Sequence, residues 1–278
     1  AGVVALALVS WLVVALVDDD DGNDDEDGNV VAGGLTVHAG TAHDPVVFVE
    51  DGGGELAGFE VDLVEAIGER LDMPVTFDLA DERRTAAEEA VRAGGTGAHV
   101  AVGNFADNDT EREALGVDFV NHFMDGWAVM SPDPEQSGDL DDLCGLRVTL
   151  YPGGQPEEDA VREHTADCDT PAEIVPAETK DDMVAAIRAD EADVAVMSYT
   201  QAAYYAAAEN PDAGLSVSFP RGNRGARGIA VPAGQVELRG AVFDAMGELM
   251  RDGTYQELLR RWHIEEAAVD APDVNLGS

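Results

Sequence analysis

The chain has 278 residues, 45% of them apolar, so it can bury a substantial core and is not an intrinsically disordered polymer. It carries 57 acidic against 16 basic residues, a formal net charge of −41, and such a field repels nucleic acid and anionic lipid. Fifteen of the bases are Arg and Lys180 is the single Lys. The acids are spread along the whole chain, which points to a surface kept solvated in high salt, where screening lengths fall to roughly 3 Å near 1 M. The alternative is acidity that serves a cationic ligand or partner, and the even spread argues against it.

Residues Ala1 to Val17 are apolar apart from Ser10. The run fits a signal segment or membrane anchor, with a buried core helix as the alternative. Eight acids follow between Asp18 and Asp27, which is the composition of a solvated tether. Export is therefore expected, with a retained anchor favoured over cleavage, giving an extracytoplasmic protein at the cell surface or in the periplasm.

From Leu35 onward short apolar runs alternate with helical patterns. Strands are expected at Leu35–Ala39, Val75–Leu79, Val100–Val102, Arg147–Leu150, Asp193–Met197 and Ile229–Val231, apolar enough to be covered on both faces. Phe59, Leu63, Ala66, Ile67 and Leu71 follow helical spacing, as do Val242, Met246 and Leu249. Thr179 with Asp182, and Thr254 with Glu257, read as capping boxes. Asp51–Gly54 is expected at a hairpin tip, Ser131–Leu140 at a lobe crossing, and Arg221–Arg227 near the return crossing. Alternating strands and helices imply α/β layers with mostly parallel sheets, in which ligands bind at the carboxyl ends of strands.

Cys144 and Cys168 are the only cysteines and show no metal-site spacing. Export permits a disulfide closing a loop of about 24 residues, with two separate buried thiols as the alternative. No phosphate-binding glycine loop and no GxSxG elbow occurs, and no cofactor or metal is expected. His38 and His43 read as ordinary polar residues.

Five segments in register resemble one family. Gly40-Thr41, Pro45, Phe48 and Leu56 to Leu63 are similar to the first lobe of polar amino-acid-binding proteins of ABC importers, the bacterial extracellular solute-binding proteins of family 3. Thr110 to Glu113 with Val117-Asp118-Phe119 resembles its next block. Leu140 to Val148 resembles the opening of the second lobe in the form that carries a Cys. Gly228 to Pro232, and Asp252 to Tyr255 with Trp262, resemble the closing segments.

The resemblance implies a two-lobed α/β periplasmic-binding-protein-like fold of type 2, with two hinge crossings that close the lobes over a ligand. Residues 35–130 and 225–265 would form lobe 1, residues 131–224 lobe 2, residues 18–34 an acidic linker and residues 266–278 a tail. It implies a small-molecule solute, an amino acid or a related carboxylate, handed to an ABC permease by a monomeric receptor that is not an enzyme.

Carried over position by position, Arg112 matches the guanidinium that clamps the ligand carboxylate in a bidentate way. Phe48 is expected to supply an aromatic wall, and Asn104, Phe105 and Ala106 the backbone and polar contacts. Gly154 and Gln155 stand where the family has Thr, and Ser198 stands where an Asp normally holds the ligand ammonium. Asp44 or Tyr199 is expected to compensate. Two other readings are a sensor on the same fold and a dehydratase-type enzyme using Glu60, Asp118 and His122, with those acids read as structural in the first instance. A degenerate binder that has lost its amino-acid site is a third. No kinase, cyclase or channel segment is recognisable up to Ser278, which favours transport over sensing.

Overall fold

The computed structural model describes residues 33–50, 54–80, 82–133, 138–151, 155–209 and 211–277. The expected anchor and tether, the tip at 51–53 and Gly154 lie outside these residues. Among the described residues no helix is long and apolar enough to cross a membrane.

The first part of the chain runs β1 (Leu35–Gly40), a hairpin of β2 (Phe48–Val49) and β3 (Leu56–Ala57), α1 (Phe59–Arg70), β4 (Val75–Ala80), α2 (Arg83–Ala93), β5 (Ala98–Ala106), α3 (Asp109–Leu115) and β6 (Val117–Asp125). The second part holds β7 (Trp127–Ser131), β8 (Arg147–Leu150), α4 (Gln155–His164), β9 (Glu173–Pro176), α5 (Lys180–Arg188), β10 (Val194–Ser198), α6 (Tyr199–Tyr204) and β11 (Ser216–Ser218). The chain then returns through β12 (Gly225–Pro232), α7 (Val236–Asp252), α8 (Thr254–Arg261) and β13 (Asp273–Val274).

Two large sheets result. One has the order β13-β6-β12-β5-β1-β4 and the other β11-β7-β10-β8-β9. The expectation of mostly parallel sheets is corrected: both are mixed. β1 runs parallel to β4 and β5, and β8 parallel to β9 and β10, but β12 is antiparallel to β5 and β6, and β7 antiparallel to β10 and β11. Two strands cause this: β12, which re-enters the first lobe, runs against β5 and β6, and β7, which opens the second, runs against β10 and β11. The inner strands are joined through helices, which parallel pairing requires.

The switch between sheets falls at Gly126, ahead of the expected Ser131. Here the two crossing segments touch: a Cβ on Gly126 would lie 1.8 Å from the Asn223 carbonyl oxygen, so only glycine fits. The Gly126 carbonyl also accepts the Tyr199 amide at 2.8 Å, tying the outgoing crossing to β10–α6.

Each lobe has its own apolar core. Phe59, Leu63 and Ile67, spaced for one helix face, are fully buried on α1. Phe105, Leu115, Phe119 and Ala90 close the other face of the first sheet. In the second lobe Leu140, Leu143, Val148, Val161, Val194 and Val196 pack together, each such side chain worth about 1.5–3 kcal/mol when fully buried. Beside that core, Cys144 and Cys168 are joined in a disulfide with Cα atoms 5.8 Å apart.

Thr179 and Asp182 form the expected capping box at the start of α5. Thr254 and Glu257 do not. Gly253, in a left-handed conformation at φ 90°, joins α7 to α8, and the Thr254 hydroxyl donates instead to Asp252.

Candidate ligand-binding site

A cleft of about 800 Å³ lies between the lobes. The first lobe contributes the loop Thr41–Asp44 after β1, the start of α2 at Glu82, Arg83 and Arg84, and Asn104 on β5. The second contributes Tyr151 after β8, Glu157 on α4, Lys180 at the start of α5 and Gln201 on α6. These are carboxyl ends of strands and amino ends of helices, where an α/β sheet presents backbone donors and side chains to a ligand.

Asn104 is the node of the first-lobe wall. Its φ of 55° is left-handed, a conformation Asn tolerates better than most residues. Its amide donates to Glu60 Oε2 at 3.0 Å, and its side-chain Nδ2 donates to His43 Nε2 at 2.9 Å and to Asp125 at 3.3 Å. Its Oδ1 accepts from Arg227 Nε at 3.0 Å, and its carbonyl accepts from Arg83 at 3.2 Å. Glu60 is itself fully enclosed, with Oε1 2.9 Å from His122 Nε2 and Oε2 also accepting the Gly103 amide at 2.8 Å.

The same network fixes a tautomer. His43 Nε2 accepts from Asn104, so its Nδ1 carries the proton and donates to the Asp44 carbonyl at 3.0 Å. Burial pushes the His43 pKa below its ordinary value, against the pull of Asp125, and keeps the ring neutral. Burial likewise lowers the Arg227 pKa, although Asp125 and Glu60 oppose that shift.

The charged lining is balanced. Asp44, Glu82 and Glu157 face Arg83, Arg84 and Lys180 in a chain whose acids outnumber its bases by more than three to one. One pair spans the lobes: Lys180 Nζ is bonded to Asp44 Oδ1, and the same ammonium stands 5.0 Å over the Tyr205 ring. A balanced lining suits a ligand with both signs of charge.

Residues 35–265 match the description "Bacterial extracellular solute-binding proteins, family 3". The chain belongs to this family. It is 28% identical over 249 residues to the arginine-binding protein ArgT of Corynebacterium glutamicum, covering 87% of this chain and 78% of that protein. Its fold is like that of the L-cystine solute receptor of Neisseria gonorrhoeae in the unliganded open conformation, with TM-score 0.69 at 20% identity over 86% of this chain and 96% of that one. An ancestral arginine-binding protein bound to arginine gives TM-score 0.55 at 26% identity, covering 83% and 98%.

Set against this family 3 receptor fold, the expected site residues divide. Asp44 and Asn104 line the cleft. Arg112 does not. It sits on α3, with Nη1 paired to Asp107, and Nη2 to Asp109 and to the Gly277 carbonyl at 2.9 Å. Phe105 and Ala106 line a smaller recess of about 260 Å³ that shares Arg83 and Arg84 with the cleft. Phe48 packs edge-on against Trp262, with centroids 6.0 Å apart. Tyr199 is buried and stacked on Phe219 at 4.3 Å, and its hydroxyl accepts the Glu266 amide. Burial pushes the Tyr199 pKa up, so it stays a neutral phenol. Ser198 is not among the cleft-lining residues, and its hydroxyl donates to Gln201 at 3.2 Å. Gln155 opens α4.

The three residues proposed for acid/base chemistry are not among the cleft-lining residues. Glu60 and His122 are sealed against each other, and Asp118 pairs with Arg239 and with Asn275 at 2.8 Å. Sequence reasoning missed Arg83, Arg84 and Lys180 as cleft residues. For Lys180 a signal existed: the only lysine of the chain directly follows a capping threonine.

Proposed function

We propose that this chain is an extracytoplasmic receptor that captures an amino acid between its lobes and presents it to an ABC permease. The reading rests on family membership and, above all, on one observation: a charge-balanced cleft with contributions from both lobes. A zwitterion needs a cation for its carboxylate and an anion for its ammonium, and the lining offers Arg83, Arg84 and Lys180 for the first, Asp44, Glu82 and Glu157 for the second. Closure of the lobes removes water from these pairs and strengthens them. Arginine heads the ligands to be tried, because the relative from Corynebacterium glutamicum carries that name. The receptor acts as a monomer held at the membrane by its N-terminal apolar segment, in a high-salt medium that screens its acidic surface.

A thermal-shift screen of the purified protein in molar salt against the amino acids tests this. At a hundred times its dissociation constant a ligand adds about 2.7 kcal/mol, which raises the midpoint by several degrees. A flat response across all amino acids overturns the assignment.

A further inference from the structure

The family resemblance implies one polarity: carboxylate on an Arg of the first lobe, ammonium on an Asp of the second. Neither Arg112 nor an acid at the second-lobe position lines the cleft here. The Arg112 guanidinium is taken up by Asp107, Asp109 and the Gly277 carbonyl, and the second-lobe position is the uncharged Ser198. Asp125, a buried acid bonded to Asn104, has both oxygens engaged, by the Thr200 amide, the Thr200 hydroxyl and Asn104.

The charges that do meet in the cleft are arranged the other way round. Asp44 belongs to the first lobe and Lys180 to the second, and their side chains are 26% and 15% exposed, whereas Glu82, Arg83 and Arg84 are exposed residues. Charges withdrawn from water interact more strongly, so this pair interacts more strongly than the exposed Glu82, Arg83 and Arg84 of the lining can. A lysine suits the place. Its ammonium is a compact charge on a flexible stem with three donors, able to keep the Tyr205 ring while changing its anionic partner.

We infer that the cleft binds its amino acid with reversed polarity, the ligand ammonium on Asp44 of the first lobe and the ligand carboxylate on Lys180 of the second. The inference rests on the amino-acid reading above and narrows it. The zwitterion inserts into the Asp44–Lys180 pair, exchanging one internal contact for two charge-assisted ones of alternating sign. Each lobe then holds one end of the ligand, and the ligand replaces the direct contact between them.

Calorimetric titration separates the two ends. The probes are the amino acid selected by the screen, L-arginine first, with its Nα-acetyl derivative, which lacks the ammonium, and its carboxamide, which lacks the carboxylate. The wild type should prefer the free amino acid over each derivative by about thirtyfold or more. Asp44→Asn should lose most discrimination against the acetyl derivative and keep that against the carboxamide. Lys180→Gln should do the opposite, and Lys180→Arg, which keeps the charge, should retain both and so control for folding. Variants that keep both discriminations, or that exchange their effects, overturn the reversed polarity while leaving the receptor reading intact. A wild type that binds no amino acid overturns both.

Discussion

Glu60 and His122 face each other at 2.9 Å in the first-lobe core, both side chains wholly excluded from solvent. The pair joins α1 to β6, and through the second oxygen of Glu60 it also fixes the backbone of β5 at Gly103 and Asn104. Removing one member of such a network leaves buried polar groups without partners. Glu60→Ala is expected to cost about 3–5 kcal/mol in denaturant unfolding and to weaken ligand binding through Asn104. A loss below about 1 kcal/mol would show that the pair does not organise the lobe.

Asn104 permits a separation of backbone from side-chain effects. Both Asn104→Gly and Asn104→Ala delete the bonds to His43, Asp125 and Arg227. Only alanine pays for the left-handed conformation at φ 55°, so it should be the less stable of the two by about 1–2 kcal/mol. Equal midpoints would mean that the backbone relaxes at this position.

Acid should act through His43. Its pKa in the folded protein lies below the ordinary value, so below about pH 6.5 the unfolded chain takes up the proton more readily than the folded one. Stability from this group is therefore complete above that pH and is lost as pH falls through the lowered pKa. Thermal midpoints of wild type and His43→Gln, measured from pH 7.5 to 5, should differ most at the alkaline end and converge toward acid. A gap that stays constant would contradict a buried neutral ring.

The disulfide should stabilise the second lobe. Cys144 and Cys168 are 24 residues apart, and constraining a loop of that length contributes about 3 kcal/mol by the chain-entropy account. A reductant should lower the unfolding midpoint of the wild type and leave the Cys144→Ser/Cys168→Ser double variant unchanged. If both respond alike, the bond contributes little.

How much of this was legible beforehand depends on range. The α1 stripe of Phe59, Leu63 and Ile67 and the Thr179 box are local patterns, and the structure keeps both. The box at Thr254 has the right letters, but Asp252, two residues back, takes the hydroxyl. An apolar run does not encode strand direction, so the mixed sheets were not visible in the runs themselves. β13 lies in what was read as a tail and pairs with β6 across some 150 residues. In the cleft, Asn104 stands where the resemblance places polar contacts, and Asp44 is singled out, with Tyr199, as a departure from the family's pattern. The partner of Asp44 could not be foreseen, because Lys180 is 136 residues away and only the fold brings them together. A motif match at Arg112 likewise carries no account of the two aspartates that hold its side chain.

The position of β12 between β5 and β6 has a bearing on the order of events during synthesis. The second sheet draws on one continuous stretch, from Trp127 to Ser218, and has all its strands once that stretch has emerged. The first sheet, although its strands begin at Leu35, lacks an inner strand until residues 225–232 follow. The N-terminal half of that lobe must then wait with β5 unpaired along one edge and β6 along both, the kind of exposed edge that invites aggregation. The later-made lobe is thus the one able to fold first, and a chaperone or an acidic, self-repelling chain would matter most for the segment made earliest.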